Sequence, residues 1–228
     1  MSGGLPFTLR HEVVILCEGA ADQNFLKALM AQRGGFPPVD FIPPSEGISG
    51  RTGFGPGLRA LVGSGVPFAR LKGVLCIADS HDDPLATFQF VCEQIEKAGF
   101  PVPGQPLEVA PNTPDRPSVA VMLLPDEATP GALESLLGGQ IEAEHDWITE
   151  CVDAFLQCKQ IAAHGWPPEK RAKARFGALV AATCYNDPSR AATYAFSRAP
   201  TVADIGGAIF NGVEQRLREF FGTVGIQP

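Results

Sequence analysis

The chain has 228 residues and a formal net charge of −7, with 45% hydrophobic and 19% charged residues. That is the composition of a globular protein with a sizeable core, and it excludes wholesale disorder and a fibrous repeat. The acidic balance also excludes spontaneous coating of nucleic acid, so a polyanionic partner requires metal ions or a local basic patch.

The apolar runs at 13–17 and 119–124 are far too short to cross a bilayer and suit buried strands, so no membrane partner is expected. The first ten residues lack the basic-then-apolar order of a secretory signal, with Arg10 and His11 interrupting the apolar stretch, and a cytoplasmic location is expected. Six cysteines at 17, 76, 92, 151, 158 and 184 form no CxxC pair, and histidines 11, 81, 145 and 164 lie far apart. Reduced thiols and no structural zinc are the expectation.

In chain order, the pattern predicts a strand over 12–17, a turn at Glu18-Gly19, and a helix over 22–33 with Phe25, Leu26 and Leu29 at helical spacing. A short strand at 39–42 follows, then a glycine-rich stretch over 45–57 and a helix near 58–62. A third strand, 73–78, runs into Asp79-Ser80-His81-Asp82-Asp83, and Pro84 opens a helix over 85–98. Residues 107–110 suggest a short strand, and 118–124 a further apolar one ending at Pro125-Asp126. Beyond it the signal is helical, over 133–137, 143–163, 169–183 and 205–221. The expected fold is α/β, a Rossmann-like parallel sheet flanked by helices over residues 1–137, with a mostly helical portion over 138–228 packed on it.

Ligands of open parallel sheets lie at the carboxyl ends of the strands. Three acidic loops meet that rule: Glu18 after the first strand, Asp79 with Asp82 and Asp83 after the third, and Asp126 after the last, with Glu134 at a helix start downstream. Crowded carboxylates resist joint ionisation, and an all-oxygen set favours a hard cation, Mg²⁺ or Mn²⁺. Each residue also has a plainer reading: Asp22 as a helix N-cap, the 79–83 run as a helix start, and His81 and Glu134 as solvated side chains.

Glycines 47, 50, 53, 55 and 57 with Arg51 present either backbone amides to a phosphate or a plain loop, since the stretch lacks the ending of a P-loop. Lys170, Arg171, Lys173 and Arg175 form the clearest basic cluster, which reads as a nucleic-acid contact or, more plainly, a solvated helix face. Trp147 and Trp166 are expected to fill the core rather than to serve as stacking platforms.

The segments Val14-Ile15-Leu16-Cys17-Glu18-Gly19, then Asp22, then Ile77-Ala78-Asp79-Ser80-His81-Asp82, resemble the TOPRIM domain of topoisomerases, primases and overcoming-lysogenization-defect nucleases. The likeness covers the first three-fifths of the chain. It implies Glu18 as general acid/base or metal ligand and Asp79 as the first member of a metal-binding aspartate pair, with Asp82 and Asp83 as further ligands. His81 stands where that family has its second aspartate. Asp22, His81, Asp126 and Glu134 are then supporting residues, and Arg51 and Lys173 phosphate contacts. Leu124-Pro125-Asp126, the segment 131–137 and the segment 173–188 also resemble a TOPRIM-related family of small bacterial proteins without assigned function. The function implied is divalent-metal-dependent phosphoryl transfer, as by a nuclease on DNA or RNA; the alternative is a non-catalytic module that binds a nucleotide or a protein.

Overall fold

A computed structural model describes residues 9–42, 50–63, 70–196 and 201–227. Its centre is a four-stranded parallel sheet of β1 (Val13–Cys17), β2 (Asp40–Ile42), β3 (Gly73–Asp79) and β4 (Ser118–Leu124), in the order β2-β1-β3-β4. The helices are α1 (Ala20–Arg33), α2 (Phe54–Gly63), α3 (Pro84–Lys97), α4 (Leu133–Glu144), α5 (Asp146–Gln157), α6 (Lys159–Ala162), α7 (Pro168–Thr183), α8 (Ala192–Ala195) and α9 (Asn211–Thr223). Among the described residues, no helix is long and apolar enough to cross a membrane.

Successive strand residues point to opposite faces, and both faces are covered. Val13, Ile15, Leu75, Ile77, Ala120, Met122 and Leu124 pack with α1, α4, α5, α7 and α9. Val14, Leu16, Val74, Cys76, Val119, Val121 and Leu123 pack with α2 and α3. That is why β1 and β3 are apolar at nearly every position rather than alternating. The helical second half belongs to the first of these layers, and α4 runs through residue 138 without a break.

Several elements differ from the sequence expectation. The helix expected over 143–163 is three pieces, because His145 leaves helical geometry (φ −138°, ψ 69°) and Cys158 does so again (φ −51°, ψ 131°). The first helix of that region continues to Glu144 because Gly138, Gln140 and Ile141 are buried against its neighbours. Residues 107–110 pair with β4 through Leu107 N–H to Val121 O and Ala110 N–H to Val119 O, without becoming a strand. The helix expected from 205 begins at Asn211, after a 3-10 turn over Ala208–Phe210. Gly47 lies outside the described residues.

Candidate active site

Parallel register sets the ends of β1 and β3 side by side. Cys17 pairs with Ile77, and the Glu18 N–H donates to Ile77 O at 3.1 Å, so Glu18 leaves the sheet beside Asp79. Asp79, the last residue of β3, pairs with Leu124 at the end of β4. Its Oδ1 accepts the N–H of Leu133 at 2.9 Å, which points the first turn of α4 at the carboxylate and brings in Glu134. On the other side, Asp22 Oδ2 accepts the Gly19 N–H at 2.8 Å, fixing the start of α1.

Glu18, Asp22, Asp79 and Glu134 therefore share one electrostatic neighbourhood. Burial, with the charges of Glu18 and Glu134 added, pushes the Asp22 carboxyl up to about 7. Burial and the charges of Asp22, Glu18 and Glu134 push Asp79 well above the carboxylate range, against one stabilising hydrogen bond from Leu133. Asp22 and Asp79 are only 6% and 8% exposed. Both acids are raised chiefly because burial penalises the charged form.

His81 places a positive charge beside Glu18. Its Nε2 lies 3.1 Å from Glu18 Oε2 and its Nδ1 2.8 Å from Glu169 Oε2, at the start of α7. The hydrogen bond to Glu18 raises the imidazole to about 9 despite desolvation, and Glu169 adds to the effect, so His81 is a cation at neutral pH. Its backbone is left-handed (φ 54°) and exchanges both hydrogen bonds with Gly131, N–H to O at 2.8 and 2.7 Å. A non-glycine residue held there is strained, and the bridge to Gly131 fixes it. Glu169 also accepts from Lys173 one turn on, and Lys173 feels the charges of Glu134 and Asp79.

The other expected residues lie elsewhere in the local network. Asp82 Oδ1 accepts the Glu169 N–H at 3.2 Å and so ties α7 to the loop after β3. Asp83 is the N-cap of α3, accepting from the Ala86 N–H at 3.0 Å. Asp126 accepts from the N–H groups of Ala128 and Thr129, which lower its carboxyl against the effect of burial, and so closes a turn. Arg51 lies over the ring of Phe90 at 4.6 Å. Lys173 does reach the site, as an ion-pair partner of Glu169. Glu169 was not singled out by the sequence reading: it sits 88 residues from His81 at an ordinary helix start.

The donor set is all-carboxylate and underneutralised, which fits a hard divalent cation. Among the described residues no three His, Cys, Asp or Glu converge as ligands, and Glu18 is paired with His81.

Comparison with curated proteins and with solved structures gives no match. A family model described as "Protein of unknown function (DUF3226)" matches residues 12–204, a span holding every residue of the site from Glu18 to Lys173. The chain belongs to that family.

Proposed function

We propose that this protein performs divalent-metal-dependent phosphoryl transfer, as a nuclease acting on DNA or RNA, with Mg²⁺ or Mn²⁺ held by Glu18, Asp22, Asp79 and Glu134. The observation that supports this reading is the pair of buried acids at the strand ends, Asp22 and Asp79, pushed toward their neutral form first by burial and then by the charges of Glu18 and Glu134. The TOPRIM resemblance of segments 14–19 and 77–82 supports it from the sequence side. When bound, the metal supplies charge for phosphate oxygens and lowers the pKa of a bound water.

The chain's own residues do the rest. Glu18, in contact with the His81 imidazole, exchanges a proton with it and acts as the acid/base at the site's edge. Lys173, paired with Glu169, offsets the negative charge of Glu134 and Asp79. Calorimetric titration with Mn²⁺ and Mg²⁺ at fixed ionic strength tests this directly. The unmodified protein is expected to bind, and Glu18→Gln and Asp79→Asn to lose at least tenfold in affinity; equal binding by all three sinks the assignment.

The closed contact of His81 with Glu18 and Glu169 favours a second reading, a binding module in which the imidazolium permanently fills the cation's place. His81→Asn separates the two, because asparagine tolerates the left-handed backbone but carries no charge. On the phosphoryl-transfer reading this variant binds Mn²⁺ more tightly than the parent. A module without metal chemistry shows no Mn²⁺ binding in either form and recognises a nucleotide or protein without turnover.

A further inference from the structure

The sequence expectation put Trp147 and Trp166 in the core, yet they are 59% and 36% exposed. Their settings differ. Trp166 lies in the loop before α7 and stacks face to face with His164, ring centroids 5.0 Å apart and planes within 17°. Trp147, at the start of α5, meets His145 edge-on at 66° and forms no parallel stack with it. The His164–Trp166 stack stands three residues before Glu169, the residue that joins α7 to His81 and Asp82. Three residues span at most about 10 Å, the reach of one or two nucleotides.

This rim carries the densest run of basic residues in the chain, with Lys170, Arg171, Lys173 and Arg175 close together in an otherwise acidic protein. Among the described residues, most basic side chains near acids are spent on them, as in Arg33 with Glu214, Lys72 with Glu12, Arg175 with Glu142 and Asp153, and Arg218 with Glu214. Lys170 and Arg171, on the first turn of α7, are exposed and make no such pair. Lys170 also lies one helical turn from Lys173, which adjoins the carboxylate cluster. The flat two-ring stack thus lies just before the helix turn that carries Lys170 and Arg171, and Lys173 on the next turn feels the charges of Glu134 and Asp79.

We infer that this rim, His164 and Trp166 with Lys170 and Arg171, receives single-stranded nucleic acid, a base extending the ring stack while its phosphates follow α7 toward the carboxylates. The assignment of substrate rests on the phosphoryl-transfer reading, but the binding itself does not. A single strand is favoured because an unpaired base has a free face for stacking, whereas a duplex hides its bases and needs many more cations than this acidic chain presents there. An acidic peptide would satisfy Lys170 and Arg171 but leave the stack unused.

The test uses the full chain and a fluorescein-labelled thymidine homopolymer of about twelve nucleotides, at low salt in EDTA, read by anisotropy. Binding is expected to fall about tenfold in Trp166→Ala and in Lys170→Gln/Arg171→Gln, and to stay unchanged in Trp147→Ala. The slope of log affinity on log salt is expected at about −1.5 to −2, the value for two or three neutralised phosphates on a single strand. Since the altered side chains are exposed, unchanged circular dichroism and melting temperature confirm an intact fold. The inference is overturned if the strand does not bind, if a duplex of equal length or a polyglutamate competitor binds as tightly, or if the Trp166 and Lys170/Arg171 variants bind like the parent. Mn²⁺ titration of the same proteins in EDTA-free buffer keeps the two readings apart. Metal binding without strand binding refutes this inference alone, and strand binding without metal binding refutes the phosphoryl-transfer reading alone.

Discussion

At the scale of single residues, the site is a balance of charge. Burial pushes Asp22 and Asp79 toward their neutral form, so on the proposed function their substitution is expected to act in opposite directions on stability and on metal binding. Asp79→Asn keeps an acceptor for the Leu133 N–H and takes away a buried group that ionisation at high pH would destabilise. We expect its melting temperature at pH 8, without metal, to lie above the parent's by a few degrees, about 1 kcal/mol, with Mn²⁺ affinity lost; a lower melting temperature refutes the charge-strain account. The pH dependence follows from the same shifts. Asp22 is raised from 3.8 to about 7, so the folded state holds its proton more tightly than the unfolded chain, and its contribution, full below pH 3.8, is lost as pH rises through 7. His81 is raised from 6.5 to about 9, so its contribution is full below 6.5 and lost as pH rises through 9. Metal-free stability should therefore decline from pH 4 to pH 9, and saturating Mn²⁺ should flatten the part due to Asp22. Denaturant midpoints across that range check both statements.

At the scale of elements, strand ends and helix starts decide which carboxylates meet. The first strand, the turn at Glu18-Gly19 and the acidic end of β3 are legible because apolar runs followed by glycine or aspartate mark βα junctions. Side-chain direction beyond those ends is not legible. Asp83 is drawn to the exposed amides of α3 and Asp126 to those of its own turn, since a carboxylate beside unpaired N–H groups caps them first. The start of α4 shows how tightly one junction is set. Gly131 has φ 154°, and a Cβ there would stand 2.4 Å from Ser135 Oγ, whose oxygen accepts the Ala132 N–H. Gly131→Ala should cost about 2 kcal/mol in urea unfolding and weaken Mn²⁺ binding, because the displaced turn carries Leu133 away from Asp79 and Gly131 away from His81.

At the scale of the whole molecule, the last helix completes the site's foundation from outside the span matched by the family model, which ends at residue 204. Arg216 of α9 is 9% exposed and donates to Leu123 O at 2.9 Å, Pro125 O at 2.6 Å and Glu127 Oε1 at 2.8 Å. It thus fixes the segment between β4 and α4, and Phe220 and Leu217 of the same helix join the core under the sheet. Arg216→Ala should cost about 2–3 kcal/mol, from two buried carbonyls left without a donor, and a stability loss below 0.5 kcal/mol would contradict that role.

By itself the sequence determines the α/β class, the parallel order of βα units and the helical second half, because apolar periodicity and glycine or proline punctuation are local signals. It also determines that Glu18 and Asp79 stand at strand ends. The tertiary structure alone decides that Asp22 and Glu134 join them, that His81 is gripped between Glu18 and Glu169 across 63 and 88 residues, and that Trp166 faces solvent. Those facts depend on how distant helices pack over the sheet, and burial then sets the charge of each acid; neither is encoded in the spacing of residues along the chain.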